Sequence, residues 1–191
     1  MSRSLILRSA VFGLVSVALA GVGATAPATA TPAQSKAVAG VAPGAYTIRA
    51  LHSGKCFAPQ DGSTSDGVLI VQQTCDGSAA QRVTLQQFTD PNHPQRFRFV
   101  TGAGKCWNVE GGSPLPYKRI IQYPCQAVYN EAFDLHGYHP WGGSQIAPLN
   151  HNSFCLHVRN ATTADGADII QLPCNVPGSG ARNDTFTFVP A

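Results

Sequence analysis

Cysteine is the residue type in this sequence with the clearest chemical potential, because two thiols can form a disulfide or bind a metal. The six cysteines fall into three pairs whose members are 19 residues apart: Cys56 and Cys75, Cys106 and Cys125, Cys155 and Cys174. Zinc sites usually place two cysteines two to four residues apart, and that spacing does not occur here. His136 and His139 lie in a segment rich in glycine, proline and tryptophan, and we interpret them as loop residues. The pattern therefore favours disulfides, and we expect neither a metal nor a cofactor.

Charged residues are too few and too scattered to indicate catalysis or nucleic-acid binding. The chain has 13 Lys and Arg against 10 Asp and Glu, and charged residues make up 12% of the composition. The acidic residues form no pair at matching positions of the kind that acid/base hydrolysis needs, and no G-x-S-x-G motif occurs. The longest basic run is Lys118-Arg119, too short to track a phosphate backbone. We therefore expect that the protein is not an enzyme and does not bind nucleic acid.

The first thirty residues have the composition of an export signal. Residues 1–30 combine a basic start, an apolar run and the small residues Ala28-Thr29-Ala30, which resemble a cleavage site. Residues 31–43 are rich in Ala, Pro, Gly and Ser and are interpreted as a flexible leader, followed by one domain over 44–191. We expect a secreted, monomeric protein without membrane insertion, in an oxidising compartment where disulfides persist.

The cysteine spacing belongs to a threefold internal repeat. The leading cysteines Cys56, Cys106 and Cys155 recur after 50 and 49 residues, and a glutamine follows each of them by 16 residues, at Gln72, Gln122 and Gln171. The repeats cover about 46–92, 96–142 and 144–190. Because each repeat must look like the others, pairing within repeats is favoured. We interpret the three glutamines as structural residues that bond to neighbouring backbone.

The repeats are predicted to be all-β, with four strands each and twelve in total. Segments such as Arg96-Phe97-Arg98-Phe99 alternate polar and apolar residues, and turn residues separate them without any sustained helical period. Closing the strands into a barrel would remove exposed sheet edges. Trp107 follows a repeated cysteine and is predicted to lie in the core. Trp141 is interpreted as a lid on the barrel or as an exposed binding aromatic.

The repeats resemble those of the ricin B-type lectins and the related carbohydrate-binding modules. The resemblance rests on Gly54-Lys55-Cys56 and Gly104-Lys105-Cys106, on the apolar pair before each repeated glutamine, and on closing segments at the family's Q-x-W position, which begin at Gln81, Glu131 and Asp184. It implies a β-trefoil of three pseudo-equivalent repeats, each with an internal disulfide. It also implies carbohydrate binding.

The resemblance places the best sugar site in the middle repeat. The family uses an Asp two residues after the first Cys, an aromatic two residues before the second Cys, and an Asn before the Q-x-W Gln. Those positions hold Asn108, Tyr123 and Asn130 here. Glu110, two residues beyond Asn108, is expected on the same strand face. The alternative is that Asn108 sits in a turn and that Tyr123 is a packing residue.

The other two repeats depart further from the family pattern. The first has Ala58, Gln73 and Ala80 at the three positions, with no acceptor, aromatic or amide matching the pattern. The third retains weaker candidates, His157 and Asn183, without an aromatic.

These expectations describe a non-catalytic, weakly binding lectin whose partner is a glycan or polysaccharide. The alternative is a β-trefoil that has lost sugar binding and contacts a secreted protein through its loops, as a protease inhibitor would. The candidate loops for that alternative lie within 175–185 and 137–144.

Overall fold

The chain folds into twelve β-strands over the described residues, four in each repeat, as the sequence predicted. The computed structural model describes residues 41–88, 96–138, 142–151, 153–175 and 182–191. The strands are β1 Gly44–Ala50, β2 Cys56–Pro59, β3 Ile70–Gln73, β4 Val83–Gln87, β5 Arg96–Thr101, β6 Lys105–Val109, β7 Ile120–Pro124, β8 Phe133–Tyr138, β9 Ser144–Pro148, β10 Phe154–Val158, β11 Ala167–Pro173 and β12 Phe186–Pro190. Five 3₁₀ turns lie between them, at Gln60–Gly62, Ala79–Gln81, Glu110–Gly112, Tyr129–Glu131 and Arg159–Ala161.

Six of the strands close a barrel. The first and last strands of each repeat pair antiparallel around a ring in the order β1, β4, β5, β8, β9, β12 and back to β1. The register places Ile48 opposite Phe188 and Leu85 opposite Phe99. Closure pairs both edges of every barrel strand, so no long sheet edge is left open.

The remaining six strands form three hairpins that associate with one another. The hairpins are β2–β3, β6–β7 and β10–β11. Each hairpin contacts the next through short strand pairings. Ala167 pairs with Gln72, Leu69 with Ile121, and Arg119 with Ile170. A six-stranded barrel with a triplet of hairpins, built from three equivalent units, is a β-trefoil. The predicted fold class is confirmed.

Aromatic side chains from all three repeats fill the core. Trp107 is 1% exposed and stacks on Phe99 with ring centroids 5.0 Å apart, which confirms its predicted place. Phe133 meets the edge of Phe99 at 5.3 Å, and Phe57 meets Phe186 at 5.2 Å. Contacts of this geometry contribute about 0.5–1.5 kcal/mol each beyond the burial of their area.

The three repeated glutamines hold neighbouring repeats together. Each side-chain Nε2 donates to two backbone carbonyls in the turn of another repeat: Gln72 to Thr162 and Ala164, Gln122 to Ser63 and Ser65, Gln171 to Ser113 and Leu115. All three side chains are fully buried. The structural role predicted for them is confirmed, and the contacts run in one direction around the threefold axis.

Disulfides lie within the repeats, as predicted. Cys56–Cys75, Cys106–Cys125 and Cys155–Cys174 have Cα–Cα distances of 5.0, 4.9 and 4.8 Å, within the normal range. Each closes a loop of about 20 residues, which is worth roughly 3 kcal/mol in the chain-entropy model.

Ion pairs add a second set of contacts between repeats. Lys55 bonds to Asp165 at 2.6 Å, and Lys105 pairs with Asp66. The third contact would need an Asp where the middle repeat has Pro116 and a Lys where the third repeat has Phe154. Both departures from the repeat therefore fall on one contact.

Several sequence expectations concern residues outside the described ranges. Residues 1–30, most of the leader, His139 and Trp141 lie there, as do residues 176–181 of one candidate loop. Among the described residues, no helix has the length and apolar character needed to span a bilayer.

Candidate functional site

A pocket of about 230 Å³ lies on the hairpin of the middle repeat. Its walls are Asn108, Gly111, Gly112, Ile121, Tyr123, Gln126 and Asn130. Three of the four middle-repeat residues expected at a sugar site, Asn108, Tyr123 and Asn130, therefore line one cavity although up to 22 residues separate them in sequence.

The hairpin and two 3₁₀ turns position these side chains. Asn108 lies in β6 opposite Ile121 of β7, so it is not a turn residue. Tyr123 follows Gln122 on β7; because side chains alternate along a strand, the buried Gln122 leaves Tyr123 facing outward. Gly112 has φ +59°, and a Cβ there would lie 3.6 Å from the Asn130 side chain. A glycine at this position keeps the pocket open beside Asn130 and tolerates the left-handed backbone.

Hydrogen bonds fix the orientation of the two asparagines. Asn108 Nδ2 donates to Glu131 Oε1 at 3.3 Å, and Asn130 Nδ2 donates to Asn108 Oδ1 at 2.7 Å. An ionised carboxylate can only accept, so the Asn108 amide nitrogen must face Glu131. Its oxygen is left on the side of Asn130 and the pocket, with a second lone pair for a ligand.

Glu131 is a residue of the site that the sequence reasoning did not assign. It is 0% exposed, and its Oε2 accepts from the Gln126 backbone N–H at 2.7 Å. Burial raises the pKa of the Glu131 carboxyl, partly offset by that N–H, by Arg98 and by Asn108. Arg98 Nε lies 3.9 Å from Oε2. Asn108 stands at the family's Asp position and Glu131 at the Gln of its Q-x-W position, so the carboxylate and the amide are exchanged between these two positions.

Glu110 does not reach the pocket, contrary to expectation. The period-two argument fails because β6 ends at Val109 and Glu110 begins the 3₁₀ turn. Its carboxylate instead forms a two-armed pair with the Arg119 guanidinium. Hydrogen bonding to Arg119 lowers the pKa of Glu110, so the group remains ionised and engaged with Arg119.

Exposed apolar side chains concentrate in the middle repeat. Tyr123 is 42% exposed, so it is not a packing residue of the core. Among the described residues, five of the six large apolar side chains that are exposed lie in this repeat: Leu115, Tyr117, Tyr123, Val128 and Tyr129. Of these five, Tyr123 lines the pocket.

The weaker candidates of the third repeat are engaged with protein groups. His157 is buried, with Nε2 3.1 Å from the Pro173 carbonyl oxygen and Nδ1 3.3 Å from Asn183 Nδ2. A carbonyl only accepts, so Nε2 carries the proton. Burial lowers the pKa of His157, against the attraction of Asp184. Asn183 also donates to the Val158 carbonyl.

The first repeat offers no such pocket chemistry at the corresponding positions. Ala58 is fully buried, and Ala80 has no polar side-chain atom. Gln81 accepts from the backbone N–H groups of Asp76 and Gly77 and donates to the Thr74 carbonyl. It therefore occupies the place of Glu131 with a neutral amide.

Within the described part of the chain, a group of three potential metal ligands is blocked by a disulfide. His136 lies within 4.8 Å of Cys155 and Cys174. Both sulfur atoms belong to a disulfide and are not available as thiolates.

The closed barrel and the hairpin triplet define a β-trefoil, and its repeats resemble those of the ricin B-type lectins. Residues 37–123 match the family model of the ricin-type beta-trefoil lectin domain-like proteins. The resemblance inferred from the sequence is confirmed. No curated protein matches the chain at a significant level.

Solved structures share the fold. The designed threefold-symmetric protein ThreeFoil is 28% identical, with a TM-score of 0.69, and the match covers 77% of this chain and 99% of that one. A Clostridium thermocellum exo-β-1,3-galactanase is 24% identical with a TM-score of 0.69; the match covers 78% of this chain and 30% of the enzyme. The Macrolepiota procera ricin B-like lectin, solved in complex with lactose, is 12% identical with a TM-score of 0.60, over 78% of this chain and 97% of the lectin.

Proposed function

We propose that this protein is a secreted, non-catalytic lectin that binds a glycan or polysaccharide through the pocket of the middle repeat. The observation that carries the proposal is the joint placement of a half-exposed Tyr123 beside the oriented amides of Asn108 and Asn130 in one cavity. The likeness to a lectin solved with lactose supports the ligand class.

The residues of the pocket match the two faces of a sugar ring. A pyranose presents C–H groups on one face, which pack on an aromatic ring. Its hydroxyls both donate and accept. Asn108 Oδ1 accepts from one hydroxyl, while Asn130, whose Nδ2 bonds to Asn108, offers its carbonyl oxygen to another.

Binding is expected to be weak and to favour neutral sugars. The pocket is open, its polar contacts are neutral amides, and the lining residues carry no charge. The nearby carboxylates are engaged: Glu131 with Gln126 and Asn108, and Glu110 with Arg119. Neutral hydrogen bonds are roughly half as strong as charge-assisted ones, so we expect binding on the order of millimolar.

The test is a glycan array with the mature chain, followed by titration of lactose and of the best array ligand. Tyr123→Ala removes the stacking face and should weaken binding at least about tenfold. Tyr123→Phe keeps that face and should bind nearly as well as the parent protein.

Tyr129→Ala is the matched control. Tyr129 belongs to the same repeat and is 67% exposed, but it does not line the pocket. It should bind as the parent does. If the Tyr123→Ala and parent proteins bind the glycan with equal affinity, the pocket of the middle repeat is not the binding site.

Export is part of the proposal and rests on two features. The composition of residues 1–30 is that of a signal peptide. All six cysteines form disulfides, which persist in oxidising compartments.

A protein partner is the second candidate, and one observation favours it. Leu115 and Tyr117 are 60% and 63% exposed on the segment between β6 and β7, and Tyr117 has φ +65°. A left-handed backbone is costly for a tyrosine, and the Tyr117 N–H is held by the Gln171 carbonyl. Absence of glycan binding, together with a stoichiometric complex with a secreted protein that Leu115→Ser abolishes, would support this candidate instead.

A further inference from the structure

A second cavity lies in the groove between the first and middle repeats. Its volume is about 250 Å³, and it shares no lining residue with the pocket of the middle repeat, which we call the lectin pocket. Its walls are backbone and small neutral side chains: Pro59, Gly62, Ser63, Thr64, Ala79, Ala80, Thr101, Gly102, Ala103 and Gln122. We name it the inter-repeat groove.

The other two junctions between repeats show why this groove is open. The carbonyl of Thr162 receives a ring nitrogen of His52 at 3.0 Å, and the carbonyl of Ser113 receives Asn150 Nδ2 at 2.8 Å. The equivalent carbonyl at the first junction belongs to Ser63. Thr101 and Gly102 stand where the other repeats have Asn150 and His52, so no long side chain enters there.

Two buried polar atoms line the groove without a hydrogen-bond partner among the described residues. Gln122 is 0% exposed, and its Nε2 is held by the carbonyls of Ser63 and Ser65, so its Oε1 must be the remaining acceptor. Thr101 is 6% exposed, and its hydroxyl is also unpartnered. A buried polar atom without a partner is destabilising, so a ligand that supplies the missing partner is favoured.

The first repeat shows what satisfies this acceptor. Gln72 is the equivalent of Gln122, and its Oε1 accepts from the Ser53 hydroxyl at 2.8 Å. The position of Ser53 is occupied by Ala103 in the middle repeat, so the donor is absent while the acceptor is retained. In the third repeat, the equivalent position, residue 152, lies outside the described ranges.

The chemistry of the groove defines its ligand. The acceptor on Gln122 needs a donor, the Thr101 hydroxyl can donate to an acceptor, and Ala79, Ala80 and Ala103 provide methyl surface. No lining residue is charged, so an ion would lose its hydration without compensation. The volume is below the range of about 300–1,000 Å³ typical of drug-sized ligands, which limits the occupant to a small group.

We propose that the inter-repeat groove binds an acetamido group. Its N–H donates to Gln122 Oε1, its carbonyl accepts from the Thr101 hydroxyl, and its methyl group packs against the alanines. Gly102 keeps the groove wide enough, because a Cβ there would lie 3.3 Å from the Ala79 carbonyl oxygen. The group can be borne by an N-acetylated sugar or by a small free amide.

The experiment is a titration of the ¹⁵N-labelled mature protein followed by two-dimensional NMR. The probes are N-acetylglucosamine, N-methylacetamide and, as the probe without the amide, glucose. N-acetylglucosamine, alone or together with N-methylacetamide, should shift the signals of Gly102, Ala103 and the Gln122 side-chain amide. Glucose should not shift them. A response to N-acetylglucosamine alone identifies the sugar-borne form, and a response to both identifies recognition of the amide itself.

Two small substitutions test the assigned contacts. Ala103→Ser supplies the donor that Ser53 supplies to Gln72, and Thr101→Val removes the unpartnered hydroxyl; each should weaken binding about tenfold. Both should leave thermal unfolding at or above the parent temperature, which checks that they fold. Tyr123→Ala, which alters only the lectin pocket, should leave these shifts unchanged.

The outcomes separate this proposal from the proposed function. If Tyr123→Ala loses glycan binding and the shifts at Gln122 are intact, both the lectin pocket and the inter-repeat groove are supported. Absence of any shift at Gly102, Ala103 and Gln122 means that the groove holds only solvent and overturns the inference, as do unchanged affinities in both groove variants. Neither result bears on the lectin pocket.

Discussion

Replacing Glu131 by glutamine should stabilise the protein at neutral pH. The first repeat supplies the comparison, because Gln81 occupies the same place and makes three hydrogen bonds to backbone, one of them as a donor to the Thr74 carbonyl. Glu131 accepts from the Gln126 N–H and from Asn108 but cannot donate. The Glu131→Gln side chain keeps its oxygen for the Gln126 N–H. Its amide nitrogen takes the place of Oε1, so the bond from Asn108 Nδ2 is lost, and we expect the nitrogen to donate instead toward the Pro124 carbonyl, the counterpart of Thr74.

The magnitude follows from what is gained and lost. The bond gained toward Pro124 and the bond lost from Asn108 are each worth about 1 kcal/mol and offset one another. The gain therefore comes from removing a fully buried carboxylate whose desolvation outweighs its contacts with Gln126, Arg98 and Asn108. The attraction to Arg98 at 3.9 Å is lost. The Arg98 guanidinium keeps its hydrogen bond to the Gln126 carbonyl oxygen at 2.8 Å. We expect a net gain of about 1 kcal/mol, equivalent to roughly 2–4 °C in Tm for a domain of this size.

The pH dependence identifies the cause. Because the pKa of Glu131 is raised in the folded state from its ordinary value of 4.5, the folded protein holds that proton more tightly than the unfolded chain. The contribution of Glu131 to stability therefore falls as pH rises from the unfolded pKa through the raised folded pKa. The advantage of Glu131→Gln should be small below pH 4 and larger at pH 7.

Urea unfolding of the disulfide-bonded protein at several pH values is the assay. Gln81→Glu is the reciprocal control: it buries a carboxylate in the first repeat and should destabilise, most strongly at pH 7. A Glu131→Gln variant less stable than the parent at pH 7, or a difference that does not vary with pH, would refute the reasoning.

Two further predictions concern the junctions between repeats and the N-terminus. Gln122→Ala removes two hydrogen bonds that join the middle repeat to the first and should lower the free energy of unfolding by about 2–4 kcal/mol. Lys105→Ala at the same junction removes only an exposed pair with Asp66 and should lower it by less than about 1 kcal/mol. Equal losses for the two variants in urea unfolding would contradict this order. N-terminal sequencing of the protein recovered from culture medium should find Thr31 as the first residue, and an intact residue 1 would argue against cleavage.

Much of the fold could be predicted because the same sequence pattern occurs in three repeats. A cysteine pair 19 residues apart, an apolar pair and a buried glutamine recur in register, and each repeat must satisfy the same local environment. Alternation of polar and apolar residues, together with the repeat, predicted four strands in each repeat and twelve in total. Trp107 was assigned to the core because it follows a repeated cysteine.

The candidate site was only partly accessible to this reasoning. Asn108, Tyr123 and Asn130 could be named because the resemblance to the ricin B-type lectins assigns their positions, two relative to the cysteines and one relative to the Q-x-W position. Glu110 was placed on the wrong face because alternation holds only while the chain remains a strand, and β6 ends one residue earlier. Glu131 was not assigned because its importance depends on Asn108, which lies 23 residues away and touches it only in the folded protein.

The sequence by itself determined the threefold plan, the disulfides and the residues that hold the repeats together, since these are local or repeated features. Only the tertiary structure decided how the side chains of each repeat are oriented and which cavities they form. An amide oxygen is turned toward one pocket by a buried carboxylate, and a groove is open where Gly102 and Ala103 replace larger or more polar residues. Such differences arise from contacts between residues of different repeats, and their energies depend on burial, which no single segment of the chain specifies.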